Sequence, residues 1–169
     1  MFGNSQGTID DLLERQDSDL TLEEVLAHPD VIQECKFMNE GLLNYLSRPE
    51  VAERMVKYVI EKPPEDSEET KHDPKQPYPY MASELFGCEN MSMIEVFFSY
   101  PDLLRLLFTY LDQPSPLDPA TSGYFRKVLV VLVQRKHDQL VQFIKQEKLV
   151  GKMVNHIGLY AVTELLIMV

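Results

Sequence analysis

Apolar residues recur at spacings of three and four along most of the chain, and polar caps interrupt them at regular places. Thr8, followed three residues later by Asp11, opens a short helix through Leu12, Leu13 and Arg15 in the manner of a capping box. Thr21 and Glu24 repeat the device ahead of Val25 and Leu26. Pro29 and Asp30 start a longer segment in which Val31, Cys35, Met38, Leu42, Tyr45 and Leu46 share one apolar face. Ser47 with Glu50 is expected to cap the next helix, which tolerates Pro49 in its first turn and carries Val51, Met55, Tyr58 and Val59. Pro63 and Pro64 end it.

Residues 61–79 are rich in Pro, Glu, Asp and Lys, with almost nothing to bury. They read as a charged, solvated, flexible loop. Helix resumes near Tyr80 through Ser83, Leu85 and Phe86. Met91 to Tyr100 and Pro101 to Leu111 read as two helices broken at the proline. Ser115-Pro116-Leu117-Asp118-Pro119 is a turn delivering an aspartate N-cap and a first-turn proline.

The helix after that turn holds Phe125 and the run Val128-Leu129-Val130-Val131-Leu132-Val133. Four valines there favour a strand. The flanking charges and the length from Pro119 to Lys136 favour a central helix buried on nearly all sides. Asp138 is expected to cap a further helix with Leu140, Phe143 and Ile144. Leu149, Val150, Met153, Val154 and Ile157 form the next stripe, with Gly158 as its C-cap. Tyr160 to Val169 repeats the pattern and stops without a cap, as a truncated helical domain would. The last apolar stripe is then expected to be covered by another copy or by the chain's own core.

No strand alternation competes with these signals. The expected fold class is therefore all-α: an α-solenoid of degenerate HEAT- or armadillo-like helix pairs, with an irregular helical bundle as the alternative. No self-similarity at a fixed period is visible. With 169 residues and 44% apolar content, one domain with a sizeable core is the natural division.

The net charge of −11 sits almost entirely in the first half. Residues 1–79 carry 18 acidic against 8 basic side chains, and residues 80–169 carry 9 against 8. Such a surface disfavours nucleic acid and anionic membrane and suits protein partners. Cys35 and Cys88 lie far apart in sequence without metal-ligand spacing. They suggest reduced thiols in an intracellular protein, cytoplasmic and also nuclear, and Cys35 on its apolar stripe reads as a core residue.

Catalytic chemistry is sparse. None of His28, His72, His137 and His156 has helical zinc spacing, and no glycine-rich loop precedes a helix. Asp17-Ser18-Asp19 resembles the start of a calcium loop but has Leu22 and His28 where glycine and glutamate are required. Asp10 and Glu14 read as a solvated helix face, and His156 as a favourable partner of a helix C-terminus. No catalytic, cofactor or metal residues are expected. Tyr124, Arg126, Lys127 and Arg135 put cations and an aromatic on an otherwise apolar helix, and they are the candidate partner contacts.

Several strings in order resemble the N-terminal part of the SAPS family, the regulatory subunits of phosphatases comprising protein phosphatase 6 and its yeast counterpart. They are Leu12-Leu13-Glu14-Arg15, Leu22 to Leu26, and Val31-Ile32-Gln33-Glu34-Cys35-Lys36, the most specific, with Asn39 and Leu42 behind it. Tyr58 to Pro64, Tyr80 to Leu85, Ser115 to Pro119, Tyr124 to Leu129 and His156-Ile157-Gly158 continue the match. The chain departs from the family at Gly3, where tryptophan is usual, and at Leu159, where a small residue is usual. The resemblance implies an armadillo- or HEAT-like domain and a non-catalytic role. That role is binding a metal-dependent Ser/Thr phosphatase catalytic subunit and helping to set its substrates and location. Ankyrin-repeat proteins are further partners in animal members. A helical-repeat adaptor for another protein is the nearest rival, and a small all-α enzyme with convergent acidic or histidine side chains in a cleft is the second.

Overall fold

A computed structural model describes residues 7–15, 19–62 and 77–168, and all regular structure among them is helical. Eleven α-helices follow in order: α1 (Ile9–Leu13), α2 (Leu22–Ala27), α3 (Val31–Lys36), α4 (Glu40–Leu46), α5 (Pro49–Ile60), α6 (Tyr78–Gly87), α7 (Met91–Ser99), α8 (Pro101–Phe108), α9 (Pro119–Gln146), α10 (Val150–Val154) and α11 (Tyr160–Met168). A 3-10 turn at Thr109–Asp112 continues α8. The all-α, solenoid-like class expected from the periodicity is what forms. Most of the charged loop expected at 61–79, and the acidic start of the rejected calcium loop, lie outside the described residues.

A repeat hidden in the sequence shows in the backbone. Met38, Glu89 and Lys148 have φ of 61°, 58° and 56°, the non-glycine residues with positive φ among those described. Each stands one position beyond the C-cap of a helix: Phe37 after α3, Cys88 after α6, Glu147 after α9. At two of them the Schellman bonds are present. Asn39 N–H donates to Glu34 O at 3.0 Å, and Leu149 N–H donates to Ile144 O at 3.0 Å. Asn39 and Asn90 then cap α4 and α7 with their side chains, and Pro49 and Pro101 open α5 and α8. Behind α1 and α2, the described chain thus forms three successive units, α3–α5, α6–α8 and α9–α11, each with a left-handed reversal after its first member.

Equivalent helices stack across the first two units, α3 on α6, α4 on α7 and α5 on α8, and α6 passes the stack on to α9. The left-handed residues are 51 and 59 positions apart, which is why no fixed period is legible in the sequence. The core runs through all units: Leu42, Met55, Leu85, Met93, Leu107, Phe125 and Ile144 are fully buried. Tyr110 and Phe125 stack at 4.8 Å, and the Tyr110 hydroxyl is hydrogen-bonded to Ser122 at 2.7 Å.

Several expectations are corrected. The segment from Val31 to Leu46 is two helices, because the chain reverses at Met38. That side chain is 65% exposed rather than on the apolar face, and Asp30 makes no side-chain cap bond. Ser47 ends α4 instead of capping α5; the N-cap is Arg48. A further helix does begin near Asp138, because the backbone leaves helical geometry at Lys136 (φ −139°, ψ 41°) and α9 is two helical segments joined there; the break falls two residues before the expected cap. Gly158 is not a left-handed cap; α10 ends earlier, at Asn155. Of the stripe after Leu149, only Leu149 and Met153 are buried, while Val150, Val154 and Ile157 face outward. In the last helix Val162 and Leu165 are covered by the chain itself, because α11 packs on α9 and α10, and Ile167 is 82% exposed. The capping boxes at Thr8 and Thr21, and the Asp118 cap with Pro119 behind it, form as expected.

Candidate partner-binding surface

Helix α9 carries all four residues singled out in the sequence, and the structure divides them. Lys127 pairs with Glu84 of α6, and its ammonium lies 5.5 Å from the centre of the Tyr80 ring. Arg135 pairs with Glu89 and Lys136 with Glu95, so three cations along α9 tie it to α6, the α6–α7 turn and α7. Burial pushes the Lys127 ammonium below its ordinary pKa. These lysines and arginines are commitments within the solenoid. Tyr124 is half-buried, and its phenol is pushed up by burial, then by the nearby Asp118 carboxylate and Tyr80.

Arg126 is different. It is exposed and points along the opposite side of α9, where its guanidinium lies 5.3 Å from the centre of the Tyr160 ring on α11. Tyr160 is itself 61% exposed. Between the two helices lies a groove of about 260 Å³, with Leu129, Val130, Val133 and Leu165 as its floor and Arg126, Gln134 and Glu164 on its rim. Arginine and tyrosine beside an apolar floor are the residue types that anchor protein interfaces. Tyr160 escaped the sequence reading, which took it only as the first residue of the last helix, because nothing in the spacing shows that α11 sets it against Arg126.

Two other clefts bear on the enzymatic alternative. In one, of about 390 Å³, Asp11, Glu24 and His28 all reach the wall. Each is already bound. Asp11 accepts from Thr8 N–H at 2.7 Å, and Glu24 from Thr21 N–H at 3.0 Å and Arg15 at 2.9 Å. His28 donates from Nε2 to Gly7 O at 3.0 Å and accepts at Nδ1 from Asp30 N–H at 3.2 Å. These bonds lower the pKa of Asp11 and of Glu24, the wrong direction for a general acid near neutrality.

The other cleft, of about 440 Å³, opens between the start of α9 and the end of α10, with Ser115, Ser122, Asn155 and His156 among its lining. His156 is 7% exposed and donates from Nε2 to Leu111 O at 2.8 Å, because a carbonyl can only accept. Its Nδ1 therefore accepts from Ser115 Oγ at 3.3 Å. His156 pins two elements together; the helix end it serves is the 3-10 turn closing α8, not the end of its own helix, where its position suggested that role. Among the described residues no group of three or more His, Cys, Asp or Glu side chains is placed to hold a metal, and no helix is long and apolar enough to cross a membrane.

Comparison with known proteins follows the same direction. The chain is 34% identical over 165 residues to the mouse serine/threonine-protein phosphatase 6 regulatory subunit 2, covering 97% of this chain and 17% of that protein. It is 36% identical over 165 residues to the chicken regulatory subunit 3, covering 97% and 18%. Against the human regulatory subunit 1 the identity is 36% over 160 residues, covering 94% and 18%. The chain thus spans less than a fifth of the length of these relatives. No family model and no solved structure matches it. The resemblance read from the ordered strings is borne out.

Proposed function

From the relationship of nearly the whole chain to phosphatase 6 regulatory subunits, we propose that it acts as part of a non-catalytic regulatory subunit, holding a Ser/Thr phosphatase catalytic subunit of the phosphatase 6 type. The identity of 34–36% over 94–97% of its length carries this reading. The solenoid provides a stiff support, since each unit is fixed to the next by a shared core and by cross-helix ion pairs. In this reading metals and phosphoryl chemistry belong to the catalytic subunit, and this chain helps to choose substrates and location. Its place is the cytoplasm and also the nucleus, and ankyrin-repeat proteins are further partners.

On this surface Arg126 and Tyr160 are the contacts we assign to the partner, while Tyr124 lies on the α6 side of α9, near Tyr80. Lys127 and Arg135 contribute indirectly by holding α9. The test is immunoprecipitation of the tagged full chain from cell extract, probed for the phosphatase 6 catalytic subunit. The wild-type chain is expected to retrieve it, and Arg126→Glu to lower recovery at least fivefold while circular dichroism stays unchanged. Recovery of a different protein and no phosphatase would establish the adaptor alternative. Equal recovery by Arg126→Glu and wild type would move the contact off this groove.

A further inference from the structure

The left-handed reversals of the three units do not carry the same chemistry. At the second and third, a charged side chain serves the solenoid: Glu89 pairs with Arg135, and Glu147 with Arg105. At the first, between α3 and α4, the corresponding residues are Phe37 and Met38, which are 71% and 65% exposed. Neither joins the core. Met38 also holds a left-handed backbone that crowds its β-carbon. Two adjacent large apolar side chains are thus presented to water on a strained turn, where glycine or a polar residue would cost less.

A pair of carboxylates stands beside them. The Asn39 side-chain amide donates to Asp10 Oδ1 at 2.9 Å and to Glu34 Oε2 at 3.0 Å, while its oxygen accepts from Leu42 N–H at 3.0 Å. One fixed amide therefore gathers an anion from α1 and another from α3 next to the Phe37–Met38 turn. Among the described residues neither carboxylate pairs with a lysine or arginine. Glu40 follows on the same turn, and Lys36 is the only cation between residues 30 and 43. Like charges held together without a cation repel, and a cation brought by a partner relieves that repulsion.

We propose that Phe37 and Met38, with Asp10 and Glu34 beside them, form a docking site for a basic segment of a partner protein in which arginine or lysine flanks an apolar side chain. The cation meets the two carboxylates, and the apolar side chain covers Phe37 and Met38. Charge complementarity selects this occupant, since nucleic acid and anionic membrane bring phosphates to the acidic half of the chain and are repelled. Methionine suits the task because its unbranched, polarizable side chain adapts to the group it meets. The site belongs to the first helical unit and is separate from the α9–α11 groove of the third.

The experiment is fluorescence anisotropy of the full chain with a short labelled peptide that alternates arginine and leucine. Control peptides replace leucine by serine, or arginine by glutamate. The wild-type chain is expected to bind the arginine–leucine peptide with micromolar affinity and to bind both controls far more weakly. Met38→Gly is expected to weaken binding at least about fivefold while the fold gains stability, so that the loss does not come from unfolding. Phe37→Ser should act likewise. Glu34→Gln, which keeps an oxygen for Asn39, should weaken binding and flatten its decline with added salt. Glu50→Gln, an exposed change at the other end of α4, should leave binding unchanged. No phosphatase is present, so this test and that of the proposed function fail separately. A wild-type chain that binds no peptide, a serine peptide bound as tightly as the leucine one, undiminished binding by Met38→Gly, or an equal loss in Glu50→Gln and Glu34→Gln would each overturn the proposal.

Discussion

The Nε2–H of His156, in the turn after α10, donates to the carbonyl of Leu111 in the 3-10 turn that closes α8, at 2.8 Å and out of solvent. That bond joins the third helical unit to the second, alongside the Lys152–Asp112 ion pair at 2.7 Å. Val154 and Ile157 on either side of it face outward.

Replacing His156 with phenylalanine is expected to leave the Leu111 carbonyl buried without a donor. The loss should be about 1–3 kcal/mol of stability. Urea denaturation measures it, and hydrogen exchange should show the loosening concentrated in α10 and α11. An unchanged midpoint would show that water replaces the imidazole at no cost.

Stability is expected to fall in acid through the helix caps. The Asp118 carboxylate accepts from Thr121 N–H and from the Thr121 hydroxyl, both at 2.9 Å, and these bonds hold its pKa below the ordinary value. A carboxylate depressed in the folded state stabilises fully above its unfolded pKa of about 3.9, and that contribution disappears as pH falls through the folded value. Asp118→Asn keeps the cap oxygen and removes the titration. Urea midpoints between pH 2 and 6 should therefore slope less steeply in Asp118→Asn than in wild type. Asp118→Ala should lose about 1 kcal/mol at neutral pH.

The left-handed turns offer a gain. Met38 and Lys148 each occupy a conformation that crowds a β-carbon, and each follows the C-cap where glycine is the favoured residue. Met38→Gly and Lys148→Gly are each expected to raise stability by about 1 kcal/mol. Their effects should add, because the sites lie in different units. Thermal denaturation of the two single variants and the double variant checks both statements.

Ser47 provides a second gain. Its hydroxyl oxygen is buried at the end of α4 without a hydrogen-bond partner, the one such side-chain atom among the described residues. Removing it in Ser47→Ala should be neutral or stabilising by up to about 1 kcal/mol, since a desolvated, unpaired hydroxyl is lost. A loss of more than that by chemical denaturation would reveal an ordered water on this oxygen.

Much of this architecture is written locally. The capping boxes at Thr8 and Thr21 involve only three-residue spans, and Asp118-Pro119 starts its helix wherever that helix lies, so sequence alone determined these ends. Three-and-four spacing likewise marked Val51, Met55 and Val59 for burial, because a helix of any packing turns them to one side. The ordered strings shared with the regulatory subunits were legible for the same reason: they are properties of the chain, independent of its folding.

Tertiary structure decided what spacing leaves open. Val150, Val154 and Ile157 have the periodicity of a core stripe, yet burial requires a neighbour, and the neighbour here covers only Leu149 and Met153. Lys127 and Arg126 are adjacent on one helix. One becomes a suture to Glu84 and the other a rim of the α9–α11 groove because α6 and α11 lie on different sides of α9. Periodicity states which side of a helix is apolar; only the packed neighbours determine which side is inside.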